Sequence, residues 1–324
     1  MKTVVFSQAL HASAMKALEG KANVVVANSK VTTDYLDTLK DAEAIVIRIG
    51  NVDRAVIEAC PKLEVIARPG VGVDMIDVAA ATEHGIPVII APGANTRSVA
   101  EHAVGLMYAI TKNVVESHNE TVKGNYDIRN KGVCVEQLGR RVGVAGFGAI
   151  GRETARLMKN NDLDVSVYDP YVSREAAEAL GYRYESDLHA MLGSVDVLTL
   201  HLPSAPETRG MFGEKEFKAM KKGMFLVNCA RGDLIDENAF LAAMRDGTVA
   251  AAGVDVMAAE PMDPKHPLFS LPNFIATPHT AAQTVESAIA VSKMVTDGML
   301  AVFAGEKWPR VCNPEVYNHP RWKK

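Results

Sequence analysis

The chain has 324 residues, more than one hydrophobic core ordinarily serves, so its length predicts two domains, each large enough to fold around its own core. Hydrophobic residues make up 48% and charged residues 23%, the balance of a globular protein, and a net charge of −4 excludes the basic field that nucleic acid or anionic lipid would need. No apolar run is long enough to span a bilayer, and the opening run is too short for the core of a signal peptide.

Taken in chain order, short β-rich apolar runs alternate with helical patterns, which predicts parallel sheets covered by helices. The first five runs fall at 3–6, 23–26, 44–47, 63–67 and 87–90, separated by helical segments such as 31–40 and 75–84. A long helical pattern over 98–118, apolar at Val99, Ala103, Leu106, Met107 and Ile110, connects this unit to a second, with the hinge near the start of the helix. Further strands are predicted at 142–145, 164–168, 195–200, 224–227, 250–254 and 274–277, and six strands match a complete dinucleotide-binding sheet. The basic end, Arg321-Trp322-Lys323-Lys324, reads as a solvated tail. Cys60, Cys134, Cys229 and Cys312 lie far apart with no C-x-x-C, as expected of reduced thiols in a cytoplasmic protein.

Residues 146–151 read G-F-G-A-I-G, between the strand at 141–145 and a helical pattern at 150–159. Gly146 permits the tight turn, Gly148 lets the backbone approach a pyrophosphate, and Gly151 lets the helix pack closely on the strand. The helix start, at Ala149 and Ile150, offers free N–H groups and a partial positive charge to phosphates. The next strand ends at Asp169, where such folds place the carboxylate that binds the adenosine ribose. That acid repels a 2′-phosphate and favours NAD over NADP, although Arg174 nearby could accommodate one.

Arg231, Glu260 and His279 each follow a strand-like run. Singly they read as a surface ion pair, a loop charge and a capping histidine. At three successive strand ends, on the side where open α/β sheets bind ligands, they form a set. A dinucleotide loop with a cation, an acid and an imidazole is the equipment for moving a hydride to a 2-oxo acid.

Seven ordered segments carry a family resemblance: G-V-G-V-D at 70–74, the glycine loop with Asp169, H-L-P-S-A-P-E-T-R at 201–209, N-C-A-R-G at 228–232, G-V-D-V at 253–256, Glu260-Pro261, and T-P-H-T at 277–280. Over nearly its whole length the chain resembles the D-isomer-specific 2-hydroxyacid dehydrogenases. The resemblance implies an α/β fold of two doubly wound parallel-sheet domains. One is a flavodoxin-like substrate domain from 1–98 and 290–324, closed by a returning C-terminal helix, and the other an NAD-binding Rossmann domain over 99–289. It also implies an active-site cleft between the domains, a homodimer formed through the nucleotide-binding domains, and no metal.

Carried over residue by residue, Arg231 binds the substrate carboxylate, His279 is the acid/base, and Glu260 is the carboxylate that orients its ring. His201, Pro203, Thr208, Cys229 and Ala230 lie beside the nicotinamide half of NAD, and Asp255 reaches its carboxamide. The loop Val71-Gly72-Val73 holds the substrate carboxylate with backbone N–H groups. Arg48 and Arg68 look like the arginines that phosphoglycerate dehydrogenases aim at a phosphate. Two departures stand against that subfamily: a slightly different spacing between the runs that carry these arginines, and P-H-T-A-A-Q-T at 278–284 in place of P-H-L-G-A-S-T. Met75 also replaces the polar residue of G-V-D-N, which makes that cleft edge more apolar. The chain stops soon after N-P-E-V at 313–316, so no appended regulatory domain and no feedback control by serine are expected. The alternatives are 3-phosphoglycerate dehydrogenase proper and an NAD-sensing corepressor on the same fold. Formate dehydrogenases would require glutamine where Glu260 stands, and phosphite oxidation uses the same three residue types.

Overall fold

The computed structural model describes residues 1–323. Two compact units divide the chain, one formed by Met1–Asn95 with the segment from Gln283 onward, the other by Thr96–Ala282.

The first unit holds a five-stranded parallel sheet of β1 (Lys2–Phe6), β2 (Ala22–Val26), β3 (Ala44–Val46), β4 (Val65–Ala67) and β5 (Val88–Ile89), in the order β2-β1-β3-β4-β5. This is the flavodoxin-like arrangement. Successive strand residues point to opposite faces, and here both faces are apolar. Val5, Ile45, Ile66 and Val88 pack with Leu39, Ile57 and Ala80 on one side. Val4, Phe6, Val46, Val65 and Ile89 pack with Leu18, Val295 and Met299 on the other. The latter group comes from two helices, Ala12–Leu18 and the long Val285–Phe303, so the end of the chain completes the core of its beginning.

The chain after that helix departs from two expectations. The returning helix does not extend over 290–324; it ends near Gly305, at φ 81°, and the rest is extended chain and short 3-10 turns at Pro314–Asn318 and Pro320–Trp322. Nor is the basic end a solvated tail, although its last residue, Lys324, lies outside the described residues. Trp322 Nε1 donates to Gly85 O at 2.9 Å and its ring meets Tyr317 edge-on, while Arg321 Nη1 donates to Leu63 O at 3.0 Å. Buried Asn313 anchors the segment by accepting from Val88 N and donating to Ile86 O. An aromatic ring and backbone carbonyls wanting donors outweigh the solvation of a short basic run.

The second unit holds seven parallel strands: β6 (Arg141–Ala145), β7 (Asp164–Tyr168), β8 (Arg183–Tyr184), β9 (Val197–Leu200), β10 (Met224–Asn228), β11 (Val249–Val254) and β12 (Phe274–Ala276). Their order is β12-β11-β10-β9-β6-β7-β8, with the direction of sheet growth reversing between β6 and β9. The expected six strands are thus seven. Strand β8 has two residues, paired with Ser166 and Val167, and offers no apolar run for a sequence pattern to detect. The long helix expected over 98–118 is two helices, Thr96–Thr111 and Val114–Val122. Asn113 between them takes a left-handed conformation, φ 51°, which an α-helix cannot continue through and asparagine tolerates better than most residues.

Candidate active site

Because all seven strands of the second unit are parallel, the loops that follow them emerge at one edge of the sheet. Open sheets of this kind bind ligands at that edge, at the point where strand order reverses. The loop after β6 carries the glycines. Gly146 has φ 93°, and a Cβ there would lie 2.6 Å from the carbonyl carbon of His201; at Gly151 it would lie 1.9 Å from Gly146 O. At Gly148 it would meet nothing within 4 Å. Two glycines therefore serve close backbone packing, and the third leaves open space before the helix Ala149–Lys159. Asp169 braces this loop: Oδ2 accepts from Phe147 N and Oδ1 from Tyr171 N, both at 2.8 Å. Bare backbone beside the free N–H groups of an eleven-residue helix fits a pyrophosphate. Arg174 is engaged elsewhere, 3.1 Å from Glu178 and over the Tyr184 ring.

After β9, His201 Nε2 contacts Thr199 Oγ1 at 2.9 Å, and burial pushes its pKa down to about 3, so it is a neutral packing partner of the glycine loop. Thr208 donates to Pro203 O at 2.7 Å and accepts from Ala205 N at 2.8 Å, closing the turn it sits in.

After β10, fully buried Asn228 shapes the turn that presents Arg231: its amide donates to Arg231 O and accepts from Ala230 N. Cys229 and Ala230 are buried here, and burial together with Asp255 pushes the Cys229 thiol up, which makes it inert filler. Gly232 is where this loop touches the next one. A Cβ at that position would lie 1.9 Å from the carbonyl carbon of Met257, so only glycine lets the Arg231 and Glu260 loops approach so closely.

Glu260 and His279, on the loops after β11 and β12, come together with Oε2 and Nδ1 2.8 Å apart. His279 holds φ 53°. The segment that carries it is wound around Asp255, which is 1% exposed. Asp255 Oδ1 accepts from Thr277 Oγ1 at 2.5 Å and Thr280 N at 2.9 Å, Oδ2 from Ala281 N at 2.8 Å, and the Asp255 carbonyl from His279 N at 2.9 Å. These bonds occupy the carboxylate that was expected to reach a carboxamide.

In the first unit, Arg48 and Arg68 follow β3 and β4. Arg68 turns onto its own surroundings, with Nε on Gly72 O at 2.9 Å and Nη1 on Arg48 O at 3.1 Å, and so shapes the Val71-Gly72-Val73 loop. Arg48 Nη2 donates to Gln283 Oε1 at 2.9 Å. Sequence reasoning missed Asn228, Gly232 and Thr277. N-C-A-R-G and T-P-H-T contained all three, but a residue that shapes a turn carries no chemical signature of its own.

The fold and this edge define a dinucleotide-binding α/β protein. Residues 104–281 match the model of the D-isomer specific 2-hydroxyacid dehydrogenase NAD-binding domain, and the chain belongs to that family. It is 40% identical over 315 residues to the D-3-phosphoglycerate dehydrogenase of Methanocaldococcus jannaschii, covering 97% of this chain and 60% of that protein. The chain thus spans about 60% of that relative's length. The apo structure of D-lactate dehydrogenase from Escherichia coli superposes with a TM-score of 0.84 at 28% identity, covering 96% of this chain and all of that one. An NAD-dependent formate dehydrogenase from Staphylococcus aureus, solved in complex with NAD, gives 0.83 at 27% identity, covering 95% and 97%. No described helix is long and apolar enough to cross a membrane, and no group of three or more His, Cys, Asp or Glu able to hold a metal ion occurs among the described residues.

Proposed function

We propose that this chain moves a hydride between NAD and C2 of a small 2-oxo or 2-hydroxy acid, with His279 as acid/base, Glu260 as its partner and Arg231 binding the substrate carboxylate. The contact between His279 Nδ1 and Glu260 Oε2 carries this reading. A carboxylate only accepts, so Nδ1 bears a hydrogen and donates it, which leaves Nε2 as the nitrogen to face the substrate. Bound NADH supplies the hydride for reduction. As C2 gains hydrogen, the C=O π pair moves onto oxygen, and that oxygen takes the proton from His279 Nε2, whose bonding pair stays on the ring. In the oxidative direction Nε2 takes the hydroxyl proton back. Glu260 stabilises the imidazolium, and the planar fork of Arg231 matches a carboxylate and polarises the adjacent carbonyl.

The cofactor would lie on Gly146, Gly148, Ala149, Ile150 and Gly151, with its ribose at Asp169 and its nicotinamide half along His201, Pro203, Thr208, Cys229, Ala230 and Asp255. Val71, Gly72 and Val73 would hold the substrate carboxylate. The name of the Methanocaldococcus relative makes 3-phosphoglycerate the first substrate to test. Arg48 favours the same choice: it bonds to neutral Gln283 and has no carboxylate within 4.0 Å among the described residues, so its charge is available to an anionic distal group. A homodimer in the cytoplasm completes the proposal. The helix Val114–Val122 buries none of its residues, and Val122, Tyr126 and Leu138 are 73%, 65% and 75% exposed, a surface that suits a second copy. Sedimentation of Val122→Glu as a monomer, against a dimeric parent, would support that part.

The test is oxidation of NADH or NADPH with glyoxylate, pyruvate, hydroxypyruvate, phosphohydroxypyruvate and 2-oxoglutarate, by the parent protein and His279→Ala. Turnover of one acid with NADH, lost in the variant, is expected. Equal turnover by the variant would overturn the role given to His279, and tight NADH binding with no turnover of any acid would favour an NAD-sensing binding protein.

A further inference from the structure

The helix Thr96–Thr111 carries a histidine that the proposed reaction does not use. His102 Nε2 lies 2.9 Å from Thr277 Oγ1, and Thr277 Oγ1 lies 2.5 Å from Asp255 Oδ1. The carboxylate has no hydrogen to give and Thr277 has a single hydroxyl hydrogen, so that hydrogen points at Asp255. The threonine oxygen must then accept from His102, which fixes a hydrogen on His102 Nε2. That same nitrogen is 3.6 Å from Asp255 Oδ1, so its N–H dipole faces a carboxylate almost wholly removed from water. Donors to a buried carboxylate are costly to lose, and Asp255 is the post around which residues 277–281 are wound. His279 sits in that segment at φ 53°, a conformation that a residue with a side chain keeps only where its surroundings impose it.

We infer that His102 is a positioning residue for His279: through Thr277 it completes the hydrogen bonding of Asp255 and so holds the segment that keeps the imidazole on Glu260. The inference rests on the acid/base role proposed for His279. A purely space-filling role for His102 would need only its volume, whereas this one needs a donor at Nε2. Glutamine can present an amide N–H near that point and leucine cannot.

Three variants, His102→Leu, His102→Gln and Thr277→Val, test the inference in steady-state reduction of whichever acid the parent protein turns over. Leucine is expected to lower kcat about tenfold while the Kd for NADH stays within about twofold, and glutamine to restore kcat to within about threefold of the parent. Thr277→Val should match the leucine variant, and the double variant should lose no more than either alone. Amide hydrogen exchange at residues 279–281 should quicken about tenfold in the leucine variant and return with glutamine. The 15N shifts of His102 should report a hydrogen on Nε2. Unchanged kcat and exchange in a folded His102→Leu, equal loss with glutamine, or a hydrogen on Nδ1 alone would each overturn the inference. Should leucine prevent folding, Thr277→Val and the tautomer decide it. Full turnover by His279→Ala would refute the acid/base reading instead, and hydrogen exchange would still judge the bracing of the segment.

Discussion

Replacing Asp255 by asparagine changes one oxygen into an NH2 group and preserves shape, so its effect isolates the hydrogen bonding of a single buried carboxylate. Either orientation of the amide fails. With Nδ2 in the place of Oδ2 it opposes the Ala281 N–H, now 2.8 Å from an acceptor; in the place of Oδ1 it opposes the Thr280 N–H, now at 2.9 Å. One charge-assisted bond is lost, about 1.5–3 kcal/mol, and a buried donor faces another donor, about 1–3 kcal/mol, for a total of about 2.5–6 kcal/mol. For a unit of this size, each kcal/mol corresponds to about 2–4 °C in Tm, so the loss should be near 10 °C. Thermal unfolding followed by circular dichroism measures this, with kcat measured beside it, because the same bonds fix the backbone at His279. A variant that loses under about 1 kcal/mol and keeps full turnover would show that the segment is held by something other than Asp255.

Gly151→Ala would place a methyl group 1.9 Å from Gly146 O, forcing backbone apart by about 1 Å or more; fluorescence titration should show NADH affinity falling at least about tenfold, and unchanged affinity would refute the close-packing argument. Glu153 is held down from 4.5 to about 2 by Arg156 and then Arg97, the latter on the helix Thr96–Thr111. Since its folded pKa is lowered, its contribution is complete above the ordinary carboxylate range and is lost as pH falls from about 4.5 towards 2. That lowering corresponds to about 3 kcal/mol unscreened, and about 1 kcal/mol at this partly exposed site. Glu153→Gln should therefore be less stable than the parent in urea at pH 7 and nearly equal to it near pH 2; a pH-independent difference would refute the ion pair as its cause. Arg48→Ala should raise KM for phosphohydroxypyruvate at least about tenfold while changing KM for pyruvate less than about twofold, in the same NADH assay. Equal effects on both acids would rule out its recognising a distal anion.

Much of the candidate site was legible in the sequence. Glycine spacing between a strand and a helix, an acid at the end of the following strand, and a cation, an acid and an imidazole after three further strands are local patterns. Each follows from strand and helix periodicity and from the way parallel strands all end at one edge. The alternating apolar strands likewise determined that both sheets are parallel and covered on both faces. What the sequence could not convey is pairing between distant residues. Nothing local distinguishes Trp322 in a basic end from a solvated tryptophan until Gly85 offers a carbonyl. A two-residue strand such as β8 exists only because β7 pairs with it, and Asn113 ends a helix whose apolar pattern continues past it. Asp255 shows the division most clearly. G-V-D-V marked it as important, but its partners Thr277, Thr280 and Ala281 lie more than twenty residues away, and His102 comes from another helix. Their geometry is decided by burial: a carboxylate removed from water must collect donors from wherever the fold brings them, and only the tertiary structure determines which donors those are.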